Sequence, residues 1–262
     1  MDSLIRQYAR RQGIPRDEAN GFFTVLRTNA LRAALDAGNA EELLLPDQIK
    51  YIAVRLWTSQ ATLGGREFCS ILNQALREDN EPTIDHAVSI THALNAFCVT
   101  RRVGGNPVQW PPNHVTFRGT ALPREHRAFF TVGQAYRAPM FLATSVDASV
   151  SIHSFLGRLD PSTAHQRPPY QEPTLWRYHL DGNLPENRRC VHVNYVDRTD
   201  NSFQGNEFEF LYSPYSVFTV RAVEWHPAPV VDNYASHYHI IDVDVAPDNG
   251  NEPDDLPLAP WC

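Results

Sequence analysis

Glu207 and Glu209 stand two residues apart in GNEFEFLYSP, Gly205 to Pro214, where they alternate with Phe208, Phe210 and Tyr212. Successive side chains of a strand point to opposite faces, so a strand here puts both carboxylates with Leu211 on one face and the three aromatics on the other. Like charges this close repel, and repulsion raises the pKa of one member, leaving it able to handle a proton near neutral pH. Such a pair can work on an electron-deficient carbon. The solvated face of an edge hairpin would carry the same residues.

Two further stretches couple an apolar run to polar groups at strand ends, where binding residues gather. TFRG, Thr116 to Gly119, sets an arginine beside a glycine. A forked cation and a close backbone approach suit a phosphate or an amide. Taken alone, Arg118 reads first as a surface ion pair. FLATS, Phe141 to Ser145, adds the hydroxyls of Thr144 and Ser145, which can orient a carboxylate or a ribose but in isolation are ordinary strand-end residues.

These stretches need strands to position them, and the strand signals begin after GGNPVQWPPN, Gly104 to Asn113. HVTFRG, PMFLATS, TLWRYHL, CVHVNYV, EFEFLYS, YSVFTVRAVEW and YHIIDVDV are short alternating or apolar runs bounded by proline, glycine and asparagine. One helix, VDASVSIHSFL, interrupts them. The first hundred residues are helical in pattern. Ile49, Ile52, Ala53, Leu56 and Trp57 draw one apolar stripe, and Phe68, Ile71, Leu72, Ala75 and Leu76 draw another. TLGG between them reads as a glycine stop, and Pro82 opens a further helix carrying Ile84, Val88, Thr91, Leu94 and Cys98. Segments around Leu4 to Tyr8 and Phe22 to Leu35 add earlier helices, the second ending at Gly38. Helices first and strands afterwards predict an α+β fold. The expected organisation is one domain over 1–247, with a helical part at 1–105 and a β-rich part at 106–247. The acidic, proline-rich tail at 248–262 is too poor in packing residues to order itself unless it docks.

Composition narrows the function classes. A net charge of -7 gives no global basic field, so capture of nucleic acid or of an anionic membrane is not expected. No apolar run is long enough to span a bilayer, and MDSLIRQYARRQG lacks the apolar core of a signal peptide. The expectation is therefore a cytoplasmic protein, or one exported by another route. Cys69, Cys98, Cys190 and Cys262 form no CxxC pair and read as buried thiols. His237 and His239 would share a strand face, but without a third ligand nearby no metal is expected, and solvent-facing histidines are the favoured reading.

Arginine with glycine on a first strand, a phenylalanine-led hydroxyl triplet, then Glu-x-Glu on a later strand is an order in which this chain resembles the mono-ADP-ribosyltransferases. The likeness is to their arginine-specific branch, related to cholera-type and clostridial binary toxins and to vertebrate ecto-enzymes. ILNQALR, VGQAYRAPMFLATSVDASVSIHSF with Gly133, Phe141 and Phe155, and EFEFLYSPYSVFTV extend the likeness across roughly residues 45–245. The resemblance implies N-terminal helices packed on a mixed or antiparallel two-sheet β core. It implies an enzyme that transfers ADP-ribose from NAD, as substrate, to arginine on a protein or a small guanidino compound. In that role Arg118 holds an NAD phosphate, the Gly119 backbone lies near the nicotinamide amide, Thr144 and Ser145 brace the site, and Phe155 lies near the cofactor. Glu209 is the catalytic carboxylate and Glu207 receives the guanidinium, with Phe203, Gln204 and Gly205 on the recognition turn before them. The family triplet is usually Ser-Thr-Ser, and its first serine commonly hydrogen-bonds the catalytic glutamate. Here Ala143 holds that position, so Glu209 needs another partner, with Thr144, Ser145 and a water as candidates. An NAD glycohydrolase and a non-catalytic interaction protein of the same fold are the alternatives.

Overall fold

Leu4, Ile5, Tyr8 and Ala9 recur at helical spacing and are buried along one face of α1 (Asp2–Gln12) in a computed structural model of the protein. The structure describes residues 1–36, 46–79, 81–99, 112–156, 171–181, 191–192, 209–227, 237–246 and 252–262. The chain divides into two compact units, Met1–Thr100 and Arg101–Cys262. Among the described residues no helix is long and apolar enough to cross a membrane.

The first unit is helical, as its periodicity predicts. Gly13 closes α1 in the left-handed region at φ 67°, donating its N–H to the carbonyls of Ala9 and Arg10. The unit continues through α2 (Arg16–Asp36), α3 (Pro46–Trp57), α4 (Phe68–Glu78) and α5 (Glu81–Val99). The α4 stripe, Phe68, Ile71, Leu72, Ala75 and Leu76, is buried throughout. Two expectations are corrected. TLGG does more than stop a helix: Gly64 and Gly65, at φ 56° and 79°, form the two-residue turn between the short antiparallel strands β1 (Thr62–Leu63) and β2 (Arg66–Glu67). Both positions need φ > 0, which glycine adopts without a Cβ penalty. In α5 the buried stripe is Thr83, Ala87, Ile90 and Leu94, and Val88 is exposed. The face turns by about one residue, roughly 100°, from the expected one, because small Ala87 and Thr83 admit closer neighbours than Val88 and Ile84.

The second unit is an eight-stranded sheet in the order β4-β9-β10-β6-β3-β5-β8-β7. Its strands are β3 (Val115–Pro123), β4 (Ala135–Ala138), β5 (Leu142–Ser145), β6 (Gln171–Leu180), β7 (Val191–His192), β8 (Glu209–Tyr212), β9 (Ser216–Glu224) and β10 (His239–Ala246). Among the described strands only β10 and β6 run parallel. β3 and β6 pair along their length, from Val115–His179 to Pro123–Gln171, yet β3 and β5 pair at Phe117–Ser145 alone. That single pair joins a five-stranded and a three-stranded section, with a seam between them.

One face of the larger section is aromatic. Tyr136, Trp176, Tyr178 and Phe218 are fully buried there, joined by Phe130 and by Tyr212 of β8, with neighbouring ring centroids 5.0 to 6.4 Å apart. Their polar atoms are not orphaned: the Trp176 indole N–H donates to Thr120 Oγ1 at 2.8 Å, and the Thr116 and Tyr212 hydroxyls bond each other at 2.8 Å. The other face carries Arg177 and His179 of β6 against Asp242 of β10. Phe210 and Tyr212 anchor β8 as its alternation implies, but Leu211 is fully buried too, so of these residues only Glu209 retains partial exposure.

Strand β4 was not legible as a strand, being four residues followed at once by Pro139. It is held on its outer edge by the C-terminal segment. Arg137 donates its backbone N–H to Pro257 and accepts from Ala259, and its buried guanidinium donates to the carbonyls of Tyr215, Glu252 and Pro253. Trp261 stacks on Phe130 at 5.7 Å and 22°. The described part of the tail, 252–262, therefore docks rather than standing apart. Of the cysteines, Cys69 is half-buried and Cys262 exposed, against the expectation of buried thiols, while the side chains of Cys98 and Cys190 lie outside the described residues. His239 is also corrected. It is fully buried, with Nδ1 accepting from the His226 N–H and Nε2 facing Glu172, and His237 precedes the strand rather than sharing its face.

Candidate active site

The three sequence stretches meet at the seam. Phe117 of β3 pairs with Ser145 of β5, and Ser145 pairs with Glu209 of β8, so one row of paired positions runs across three strands. Residues directly opposite share a face, which places Ser145 and Glu209 side by side. Arg118 follows Phe117 and donates from Nη1 to the carbonyl of Ala143 at 2.6 Å, reaching across the seam. It is half-buried, and among the described residues no carboxylate pairs with it. The surface ion pair considered for this arginine is absent there. After Nη1 is committed to Ala143, the Arg118 guanidinium keeps further donors in a forked geometry that suits a phosphate or carboxylate.

Gly119 is required by packing. A Cβ built on it would lie 2.2 Å from the carbonyl oxygen of Ser151 and 3.0 Å from Leu156 Cγ. The segment responsible is the helical turn α6 (Ala148–Val150), which runs into a π-helical turn, Ser151–Phe155. Asp147 starts it, its Oδ1 accepting from the Ser149 N–H at 2.8 Å. Hydrogen bonds from the Ser149 side chain and then its backbone hold the Asp147 carboxyl below its ordinary range. The Asp147 N–H in turn donates to Ser145 Oγ at 3.0 Å. Gly119→Ala is accordingly expected to lose about 1–3 kcal/mol of stability, because the obstacle is backbone and cannot rotate away. Urea denaturation of the two proteins measures it, and an unchanged midpoint would remove this role for the glycine.

The other site residues divide. Thr144 is buried and donates its hydroxyl to the Phe210 carbonyl at 3.0 Å, tying β5 to β8 from the face opposite Ser145. Phe155 ends the π-helical turn. Phe203, Gln204, Gly205 and Glu207 lie outside the described residues. Sequence reasoning missed Asp147 and the acceptor role of the Ala143 carbonyl. The first had a signal in the aspartate preceding Ala-Ser-Val at a helix start, and the second had none, since every residue has a carbonyl. No group of three or more histidine, cysteine, aspartate or glutamate side chains among the described residues is arranged to hold a metal ion.

No family model and no curated protein matches the chain in sequence. Solved structures do match. The ADP-ribosyltransferase Vis toxin from Vibrio splendidus aligns over 86% of this chain and 85% of its own at 14% identity, with a TM-score of 0.52. A complex of Vis with the inhibitor M6 aligns over 89% and 88% at 14% identity, TM-score 0.54. Its complex with agmatine aligns over 86% and 85% at 13% identity, TM-score 0.52. The fold is that of an ADP-ribosyltransferase: helices with a mostly antiparallel, seamed sheet.

Proposed function

We propose that the protein is an enzyme that transfers ADP-ribose from NAD to the guanidinium of arginine, on a protein or a small acceptor, and releases nicotinamide. The observation that carries the proposal is the seam itself, where the half-buried Arg118, which pairs with no carboxylate among the described residues, and the Ser145–Glu209 pair come together. The residues present fit an NAD substrate. Arg118 supplies a cation for a phosphate, with donors left after Nη1 is committed to Ala143. The agmatine bound by Vis is a guanidino compound on the same fold, which supports the choice of acceptor class.

The chemistry assigns the carboxylates. When the bond from nicotinamide nitrogen to ribose C1′ breaks, its electron pair leaves with nicotinamide and positive charge develops on the sugar. A fixed carboxylate beside that carbon is worth more in the transition state than in the ground state, and this is the role of Glu209. The second carboxylate, Glu207, pairs with the incoming guanidinium, orients one nitrogen toward C1′ and accepts its proton as the new bond forms. Phe203, Gln204 and Gly205 present the acceptor. Thr144 fixes the spacing of β5 and β8, and Phe155 lies on the segment that covers Gly119.

Incubation with NAD labelled in the adenylate, plus agmatine or polyarginine, tests the proposal. Label on the acceptor with stoichiometric nicotinamide is expected. Nicotinamide release without label on any acceptor would make water the acceptor and the protein a glycohydrolase. The absence of both, together with no NAD binding by calorimetry at millimolar concentration, would leave an interaction protein.

A further inference from the structure

We infer that the protein binds a linear aliphatic polyamine in a cavity on the polar face of the larger sheet section. The cavity, about 480 Å³, lies where β6 and β10 end and β9 begins. That volume is within the range of ligand pockets, roughly 300–1,000 Å³. Arg118, Gly119, Ser145 and Glu209 do not line it, so the site stands apart from the reaction proposed above. Strand register assembles the lining. Thr219 of β9, Asp244 of β10 and His179 of β6 are direct partners in one row, and their side chains share a face. Arg221 follows two residues along β9 on that face, Asp181 stands just past the end of β6, and Glu252 comes from the docked C-terminal segment.

What these side chains offer is chiefly acceptors. His179 Nε2 is committed to Asp242 at 2.6 Å, which in the neutral ring leaves Nδ1 as an acceptor. Asp244 Oδ1 meets Arg221 Nη1 at 3.5 Å, and its second oxygen takes no hydrogen bond among the described residues. Glu252 gives its backbone carbonyl to Arg137, while its carboxylate pairs with nothing among the described residues. The Arg137 charge is met by Asp254 at 3.9 Å. Three lining carboxylates, Asp181, Asp244 and Glu252, against the single Arg221 therefore leave negative charge in excess. A ligand for this lining must bring donors and positive charge at more than one point. No three such groups among the described residues converge on a metal ion, which favours an extended organic cation over a divalent one. A lone amine gains one exposed ion pair, which is weak. A polyamine carries two or three ammonium groups, all donors and no acceptor, so that their contacts add within one association. Its methylene stems match the buried Leu180, Val217 and Val245, which complete the lining with apolar surface.

Calorimetric titration of the full chain with spermidine at low salt tests the inference. Saturable binding to one site is expected, with butylamine at least about tenfold weaker. Asp244→Asn and Glu252→Gln should each weaken spermidine by about three- to fivefold, the worth of one exposed ion pair. Neither change disturbs packing, since the Asp244 side chain is 58% exposed and the Glu252 carboxylate has no partner to lose among the described residues. Asp17→Asn, which removes the same charge from the first turn of α2, should leave the affinity unchanged. In a proton NMR titration the His179 ring signals, assigned by their loss in His179→Gln, should move along the same binding curve. The absence of saturable binding overturns the inference. So does equal weakening in Asp17→Asn, equal affinity for magnesium at the same total charge, or stationary His179 signals, each of which would leave only the diffuse field of an acidic protein. Spermidine carries no guanidinium, so this outcome is read whether or not the protein consumes NAD.

Discussion

Glu209→Gln is expected to slow nicotinamide release by about a thousandfold, while Glu207→Gln abolishes labelling of agmatine and leaves part of the NAD hydrolysis intact. In the proposed roles, the asymmetry follows from what each carboxylate meets. Glutamine at 209 preserves shape and most hydrogen bonding but removes the full negative charge from beside the sugar. Stabilisation that exists chiefly in the transition state is lost, so kcat falls more than NAD affinity. Glutamine at 207 removes an ion-pair partner and proton acceptor for the guanidinium, and neither is needed when water attacks. Nicotinamide release and acceptor labelling, followed in parallel, separate the two steps. Equal loss of both activities in both variants would mean that the carboxylates act as one unit and that the division of roles is wrong.

The sequence carried this site unevenly. The strands that carry Arg118, Ser145 and Glu209 were legible because their alternation is plain, and the sheet brings those strands to a common row. The buried stripe of α4 was legible for the same reason. What alternation cannot give is register between distant strands. Which member of Ala143-Thr144-Ser145 faces Glu209 depends on a pairing across some sixty residues of chain, and only the fold supplies it. Nor can local pattern show that the neighbour excluding a side chain at Gly119 is the Ser151 carbonyl. The strand at Ala135–Ala138 was missed because its edge is completed by a peptide more than a hundred residues further on. Local pattern fixes faces, whereas partners at long sequence separation decide what those faces meet.

His239 shows the same limit at larger energetic scale, since a histidine that alternation would leave in solvent is fully buried beside the fully buried carboxylate of Glu172. Glu172, 0% exposed, receives Arg127 Nε at 2.6 Å, Arg124 Nε at 2.9 Å and His239 Nε2 at 3.2 Å. The His226 N–H donates to His239 Nδ1, which leaves the hydrogen of the neutral ring on Nε2, the nitrogen that lies 3.2 Å from Glu172 Oε2 and 2.7 Å from Arg127 Nη2. Trp225 lies under the Arg127 guanidinium at 5.3 Å and edge-on to His239 at 5.1 Å, and His237 meets His226 edge-on at 4.9 Å. Arg127→Leu is expected to cost about 3–5 kcal/mol, because it leaves a buried carboxylate short of its main counter-charge. Arg124→Leu should cost less than about 1 kcal/mol, since that side chain is 59% exposed and screened by solvent. Acid acts on the same cluster. Burial lowers the His239 pKa, and the Arg127 charge adds to this against the bond to Glu172. For Glu172, burial raises the pKa, but the bonds from Arg124 and His239 and the Arg127 charge outweigh it and leave the carboxyl below its ordinary range. Both groups bind protons more weakly folded than unfolded, so both contribute stability that is lost as pH falls. The loss should begin below the unfolded histidine value of about 6.5, where charging His239 would also set an Nδ1 hydrogen against the His226 N–H, and it should steepen below about 4.5 as Glu172 joins. His239→Gln should be less stable than wild type at pH 7.5, with the difference narrowing between about pH 6.5 and 5. A constant difference across that range, measured by urea denaturation at each pH, would show that His239 does not titrate within the fold.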